Sequence, residues 1–591
     1  PIRLSYALLI NVALLIVGII VVSVHPQAAH AQNAACDAAQ GLPPNITVDT
    51  DLSGEVYVKE RVRIVNGATL TLAAGTQVIF CAEEDLLVGD LFDAGAIVSN
   101  GTAANPVTFR PAEPDGQWGR VFFNFEFATG TTATTRMQHT VFLNGGGSEP
   151  GERSAVLEFT SRRESAPATF DQITIRGSRS SGIFIRTESP TPPILSNLTI
   201  TGSARVPIIT YASTAWVITG TNQLTGNARD VIEVGTGVVL GGTIEYSQTW
   251  RNHTVPYQFF DDFGALRVRN NATLTLEPGV ELRLPPTLGV IVEPGAALIA
   301  EGTPTQRIRF DAADPDAATD LTKRWGTLSL GNGSVNSPTR IRYADFRNGG
   351  APRNDPRNHE ATIELYAPNG TTPPNTLIDH VSIRDSASSG MFVRVNEDDT
   401  TPPSFSNLTL TGSARVPIIF YASAVRGLGG VNALTGNSRD VIEVWTGTVL
   451  GGGLNYTQTW QPHGVPYQLI EDFGGLRIRE NATLRIAAGT TLLVARDLPI
   501  IVERGSLHTL GTATNPITIT RSENDGAWGG IRLEDGNQQS RFEHTRILFG
   551  GNAGDDATVL VRGGTLSLGH TRIRNSTVAA IRSFAPFISM Q

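Results

Sequence analysis

The chain has 591 residues and a mildly acidic balance, 46 Lys+Arg against 55 Asp+Glu for a formal charge of −9. Without basic runs it offers nucleic acid no electrostatic footprint, so a nucleic-acid partner is excluded. A hydrophobic fraction of 40% is ample for burial, while 61 Gly and 34 Pro demand many turns.

Residues 1–31 read as a signal peptide. Arg3 precedes an almost wholly apolar run at 7–24, and Ala29-His30-Ala31 supplies an A-x-A cleavage site. An uncleaved anchor is the alternative, since 18 residues is the lower edge of spanning length, and it would be the chain's only route to a membrane. Either way the mature chain is expected to be secreted or displayed at the cell surface. Cys36 and Cys81 are its only cysteines. In an exported chain they either bridge, pinning the N-terminal segment onto the first coils, or remain unrelated thiols. Residues 32–43 are a candidate N-terminal cap.

From residue 44 onward, runs of four to six β-favouring residues are broken by Gly, Asn, Asp or Pro, and no helical periodicity is sustained. The stretch RIVNGATLTLAAGTQVIF at 63–80 returns as RVRNNATLTLEPGVELRL at 267–284 and as RIRENATLRIAAGTTLLV at 477–494. Longer identities mark a duplication at an offset of 210 residues: TGSARVPII at 201 and 411, LTGNARDVIEV at 224 against LTGNSRDVIEV at 434, YSQTW at 246 against YTQTW at 456. These repeats define three modules of about 205–210 residues, 44–249, 250–459 and an incomplete 460–591. A strand and a tight corner, repeated, wind a solenoid in which each coil buries its apolar face on its neighbours. Roughly 25 coils at about 4.8 Å would make a rod about 120 Å long.

The stretches NATLTLEPGV (271–280), GTATNPITI (511–519), Trp528-Gly-Gly-Ile531 and EHTRI (543–547) with Gly550-Gly551 resemble bacterial right-handed parallel β-helix repeat proteins of the pectin-lyase-like superfamily. The resemblance covers roughly residues 44–591. It implies an all-β, right-handed parallel β-helix. It also implies a choice between polysaccharide lyases or hydrolases and surface proteins without chemistry, which fold alone does not make. A lyase of this kind would use a calcium site of clustered carboxylates with an arginine base, so Ca2+ is the one cofactor the resemblance admits.

The best carboxylates are Asp230 with Glu233 and their copies Asp440 with Glu443, preceded by Arg229 and Arg439. Asp261-Asp262 and Glu471-Asp472 form a second repeated pair. Copied along with whole modules, such residues are expected in solvent-facing turns. His544 matches His139, with Ala344 read at that place in the second module, and His570 matches His380 and Gln172. Only the third module holds both histidines, which should stack in adjacent coils. His253 and His463 belong to a packed turn. Trp118, Trp325, Trp528, Trp250 and Trp460 are expected to pack at coil corners, whereas Trp216 and Trp445, facing Arg426 and Gly235, read as surface contacts. The modules diverge after each Gly-Gly (147–154, 351–360, 552–557) and at 188–193 and 398–403. Insertions at one coil position should emerge on one side of the rod.

The expected role is structural or binding, adhesin-like or a surface spacer, without catalytic residues. Its ligand is expected to be a glycan or another surface protein, with Asp230, Glu233, Asp440, Glu443, Trp216 and Trp445 as contact candidates. A polysaccharide lyase or hydrolase and an end-to-end self-assembling filament are the alternatives.

Overall fold

The computed structural model describes residues 34–590 except 82, 91–92, 125–133, 147–152, 162–167, 189–190, 238–240, 332–337, 352–359, 367–375, 399, 448–450, 523–525, 535, 537, 552–553, 555 and 585–587. The predicted signal peptide lies outside the described residues. Among those described, no helix is long and apolar enough to cross a membrane.

The fold is an all-β parallel β-helix, the solenoid that the repeat predicts and in keeping with the right hand that the resemblance implies. Its strands are short because each spans one side of a three-sided coil. In Thr69–Leu72, Thr273–Leu276 and Glu281–Leu284 every second residue is buried, which is the two-residue period of a strand with one face on the core. The inward Leu, Ile, Val and Phe of successive coils join into one hydrophobic core running from Ile46 to Leu568. Corners fall where the backbone turns left-handed: Gly67, Asn271 and Asn481, equivalent in the three modules, have φ of 71°, 60° and 59°. Asn tolerates that conformation better than most residues.

The described part of the candidate cap or linker lies at the first coils. A short helix, Ala34–Ala38, precedes the parallel bridge between Gly41 and Tyr57. Cys36 is disulfide-bonded to Cys81, with Cα atoms 5.8 Å apart, which ties this segment to the coil containing the strand Gln77–Phe80.

The modules do not stack by simple translation. Val62, Leu86, Val121, Leu157, Ile183, Ile208, Ile232 and Tyr257 form one column in a 14-stranded sheet, each paired with the next one coil on. Their second-module counterparts Leu266, Val290, Leu328, Ile363, Met391, Ile418, Ile442 and Tyr467 stack in the same way, but in a separate 13-stranded sheet. The third set, Leu476, Ile500, Ile531, Val559 and Ile581, lies in a third sheet. The 14-stranded sheet meanwhile continues from Tyr257 to Leu282, the counterpart of Val78, which belongs to a different side in the first module. One module therefore covers seven coils and one side of the next, a rise of roughly 35 Å. Each copy is turned a third of a revolution from the one before it.

This turn corrects one expectation. The variable stretches after each Gly-Gly lie mostly outside the described residues, but the strands that come after them, Ala155–Ser161, Ala361–Tyr366 and Ala557–Val561, belong to three different sheets. The strands that follow the insertions therefore lie on three sides of the rod, one per module, and not on one.

Candidate functional site

Both copies of the repeated acidic pair are committed to the scaffold in the same way. Asp230 accepts hydrogen bonds from the backbone N–H groups of Asn227 (2.8 Å) and Gly226 (3.1 Å) and from the Asn227 amide (3.3 Å), closing the loop that leads into the strand Ile232–Gly237. Asp440 does the same with Asn437 and Gly436. Burial alone would raise both carboxyls, but these donors outweigh it and hold them below the usual carboxylate range.

Glu233 and Glu443 point outward from their strands onto two small apolar clusters that cover the outer surface. The first contains Phe184, Ile209 and Tyr211, and the second Phe392, Ile419 and Tyr421. Arg229 and Arg205 pair with Glu233, the latter at 3.8 Å, and Arg439 and Arg415 pair with Glu443, the latter at 3.7 Å. Trp445 donates its Nε1–H to Glu443 at 3.4 Å and packs on the second cluster, so these two contact candidates meet. Its counterpart Gly235 has no room for a side chain, because a Cβ would sit 2.8 Å from the Tyr211 ring and 2.9 Å from that of Phe260. Of the second acidic pair, Asp472 accepts from the Tyr421 hydroxyl at 2.7 Å. The side chains of Asp261 and Asp262 lie outside the described residues.

The corner tryptophans are core, as expected. Trp118, Trp325 and Trp528 are fully buried, and each donates its Nε1–H to a backbone carbonyl, of Leu143, Arg347 and Leu548, at 2.7–2.8 Å. Trp250 and Trp460 are buried against Tyr257 and Tyr467, with ring centroids 5.1 and 5.2 Å apart. Nearby, His253 and His463 are buried in a turn beside the amides of Asn222 and Asn432, at 3.1 and 3.2 Å. Burial holds the His253 imidazole down to about 4.

His139, His380, His544 and His570 occupy left-handed corners. His139 and His544 both have φ of 43°, and the residue that shares this corner in the second module is Tyr343 (φ 45°), not Ala344, which begins the next strand. Tyr343 stacks on His380 at 4.6 Å, and in the third module His544 stacks on His570 at 4.4 Å, as predicted. Sequence reasoning passes over Glu543, whose carboxylate reaches both of these rings. Its signal is the pairing of an acid directly before one corner histidine with a glycine, Gly569, directly before the other.

A second feature missed from the sequence is a polar groove of about 630 Å³ where the second module meets the third, lined by Thr400, Pro402, Arg426, Asn455, Tyr456 and Glu480 among others. The Arg426 guanidinium lies 4.7 Å over the Tyr456 ring, and Thr400 and Pro402 belong to the variable turn at 398–403. Tyr456 is 36% exposed and its counterpart Tyr246 71% exposed. Trp216, in the place of Arg426, is half-buried against the core. The signal here is a tyrosine kept in both YSQTW and YTQTW where packing does not require it.

No family model matches the sequence, and comparison with the curated proteins and with the solved structures yields no match.

Proposed function

We propose that the chain is an exported, surface-displayed β-helical rod that binds glycan through the junctions between its modules. The observation that carries this reading is the recurrence of an outward tyrosine, Tyr246 and Tyr456, at equivalent junctions, the second inside an open polar groove with an arginine over its ring. An exposed aromatic face flanked by amides, hydroxyls and a charged fork offers both stacking and directional hydrogen bonds, the combination that small polar ligands require. The repeated carboxylates, in contrast, close turns or pair with arginine. The lining contributed by a variable turn also fits binding, because loops on a rigid scaffold are where recognition is placed.

The test is a glycan array probed with the mature chain and with Tyr246→Ala and Tyr456→Ala. Each substitution is expected to lower retention on the bound glycans several-fold, and the double variant to abolish it. A 4,5-unsaturated-product assay on polyuronates runs beside it. Release of unsaturated sugars would establish a polysaccharide lyase and end the non-enzymatic reading, and binding indifferent to both tyrosines would remove the junctions as the site.

A further inference from the structure

Among the described residues, one group of three metal-ligating side chains converges: Glu543, His544 and His570, each offering a ligand atom within 4.8 Å of the other two. Glu543 Oε1 lies 3.1 Å from His570 Nδ1 and 3.8 Å from His544 Nε2, while Oε2 is held by Arg541 at 3.3 Å. The two imidazoles lie nearly parallel, 7° apart, on successive coils, and that of His570 is exposed.

Comparison along the rod shows how an acid comes to face two histidines here and at neither equivalent place. In the first two modules the residue before the second corner is Asp171 or Asp379. Asp171 accepts from Ser196 and Asn197 of the next coil, both at 2.7 Å, and Asp379 from Ser406 (2.7 Å) and Asn407 (2.9 Å). Asp379 also lies 2.9 Å from His380 Nδ1, but the ring stacked on His380 is that of Tyr343, which is no metal ligand of this kind. In the third module that place is Gly569. A Cβ there would stand 2.4 Å from Glu543 Oε2 and 2.7 Å from Oε1, so the missing side chain is the space into which Glu543 folds. The carboxylate thus moves one coil back and lies against two stacked imidazoles.

We propose that Glu543, His544 and His570 form a binding site for a zinc-class divalent transition-metal ion, clamping two successive coils and leaving coordination positions open to water. Two imidazoles and one carboxylate suit Zn2+ and its neighbours and not Ca2+ or Mg2+, which take oxygen donors. A tetrahedral ion at about 2.0–2.1 Å from nitrogen sets its donors about 3.3 Å apart. Glu543 and His570 already meet that spacing, and the rings must tilt from parallel for His544 to do so. The outer exposure of His570 permits the tilt.

Isothermal titration of the purified mature chain with Zn2+, with Co2+ absorption as a coordination readout, tests the site. His544→Asn and His570→Asn are the variants of choice, because Asn accepts the left-handed corner and preserves the fold. One ion per chain is expected, with affinity lowered at least about tenfold in each variant. Gly569→Ala is expected to weaken binding as well, by displacing the carboxylate while both imidazoles remain. Absence of Zn2+ binding by the unaltered chain, binding undiminished in both Asn variants, or stronger binding of Ca2+ than of Zn2+ would each overturn the proposal.

Discussion

Replacing Gly349 by alanine isolates the contact that fixes one corner of each module. A Cβ at Gly349 would lie 2.6 Å from Trp325 Cε2, 2.7 Å from Cζ2 and 3.0 Å from Thr362 Cγ2. The indole cannot retreat, since Trp325 is fully buried and its Nε1–H is bonded to the Arg347 carbonyl at 2.7 Å. Gly145 and Gly550 meet Trp118 and Trp528 in the same way, at 2.8 and 3.2 Å, which explains why a Gly-Gly pair accompanies each Trp-Gly. Overpacking of this kind costs about 1–3 kcal/mol. A rod of stacked coils does not unfold as one unit, so a global melting temperature would dilute the effect. Hydrogen exchange of the amides in Leu328–Leu330 and Ala361–Tyr366 reads it locally, and exchange should accelerate roughly 5- to 160-fold. Gly429→Ala is the control. Nothing lies within 4 Å of its added carbon, so protection there should hold or rise slightly as the unfolded chain loses freedom. Unchanged protection in Gly349→Ala, or equal losses in both variants, would refute the steric account of the Trp–Gly corner.

The cap and the packed turns give two further outcomes. Cys36→Ser releases a cross-link between residues 45 apart, which the chain-entropy description values at about 4 kcal/mol. Exchange should rise in Glu55–Val58 and Gln77–Phe80 and not beyond Trp118, and unchanged protection in the first coils would show that the bridge does not pin them. His253 is buried neutral, with its pKa lowered from 6.5 to about 4, so the unfolded chain binds more protons between those values. Its contribution to stability is present above pH 6.5 and is lost as the pH falls towards 4. His253→Gln should flatten this part of an acid-denaturation profile, and a wild type that gained stability on acidification through the window would contradict the sign.

The strands and corners were legible because their causes are local. Thr-Leu-Thr-Leu alternates with the strand period, and Asn or Gly marks many of the left-handed turns. Burial of Trp118, Trp325 and Trp528 was legible from the glycines kept beside them. What escaped was what depends on counting sides. A sequence repeat measures residues and says nothing of whether a module ends on the side where it began, so the insertions were expected on one side of the rod. The exchange of Tyr343 for Ala344 was a slip of one residue at a corner, where the alternation is broken. Glu543 escaped because its position rests on a side chain that is missing at Gly569, and an absence carries no pattern of its own. The junction tyrosines escaped because they sit inside motifs whose other residues, such as Trp250 and Trp460, are core.

The advance of one side per module makes the number of modules a setting of direction as well as of reach. A recombination event that added or removed one copy would leave every coil correctly packed, yet swing all that lies beyond it a third of the way around. Only changes by three copies would restore the original bearing. Length variants of such a rod would therefore fall into three rotational classes, told apart by where the distal surface points and invisible to any measure of stability.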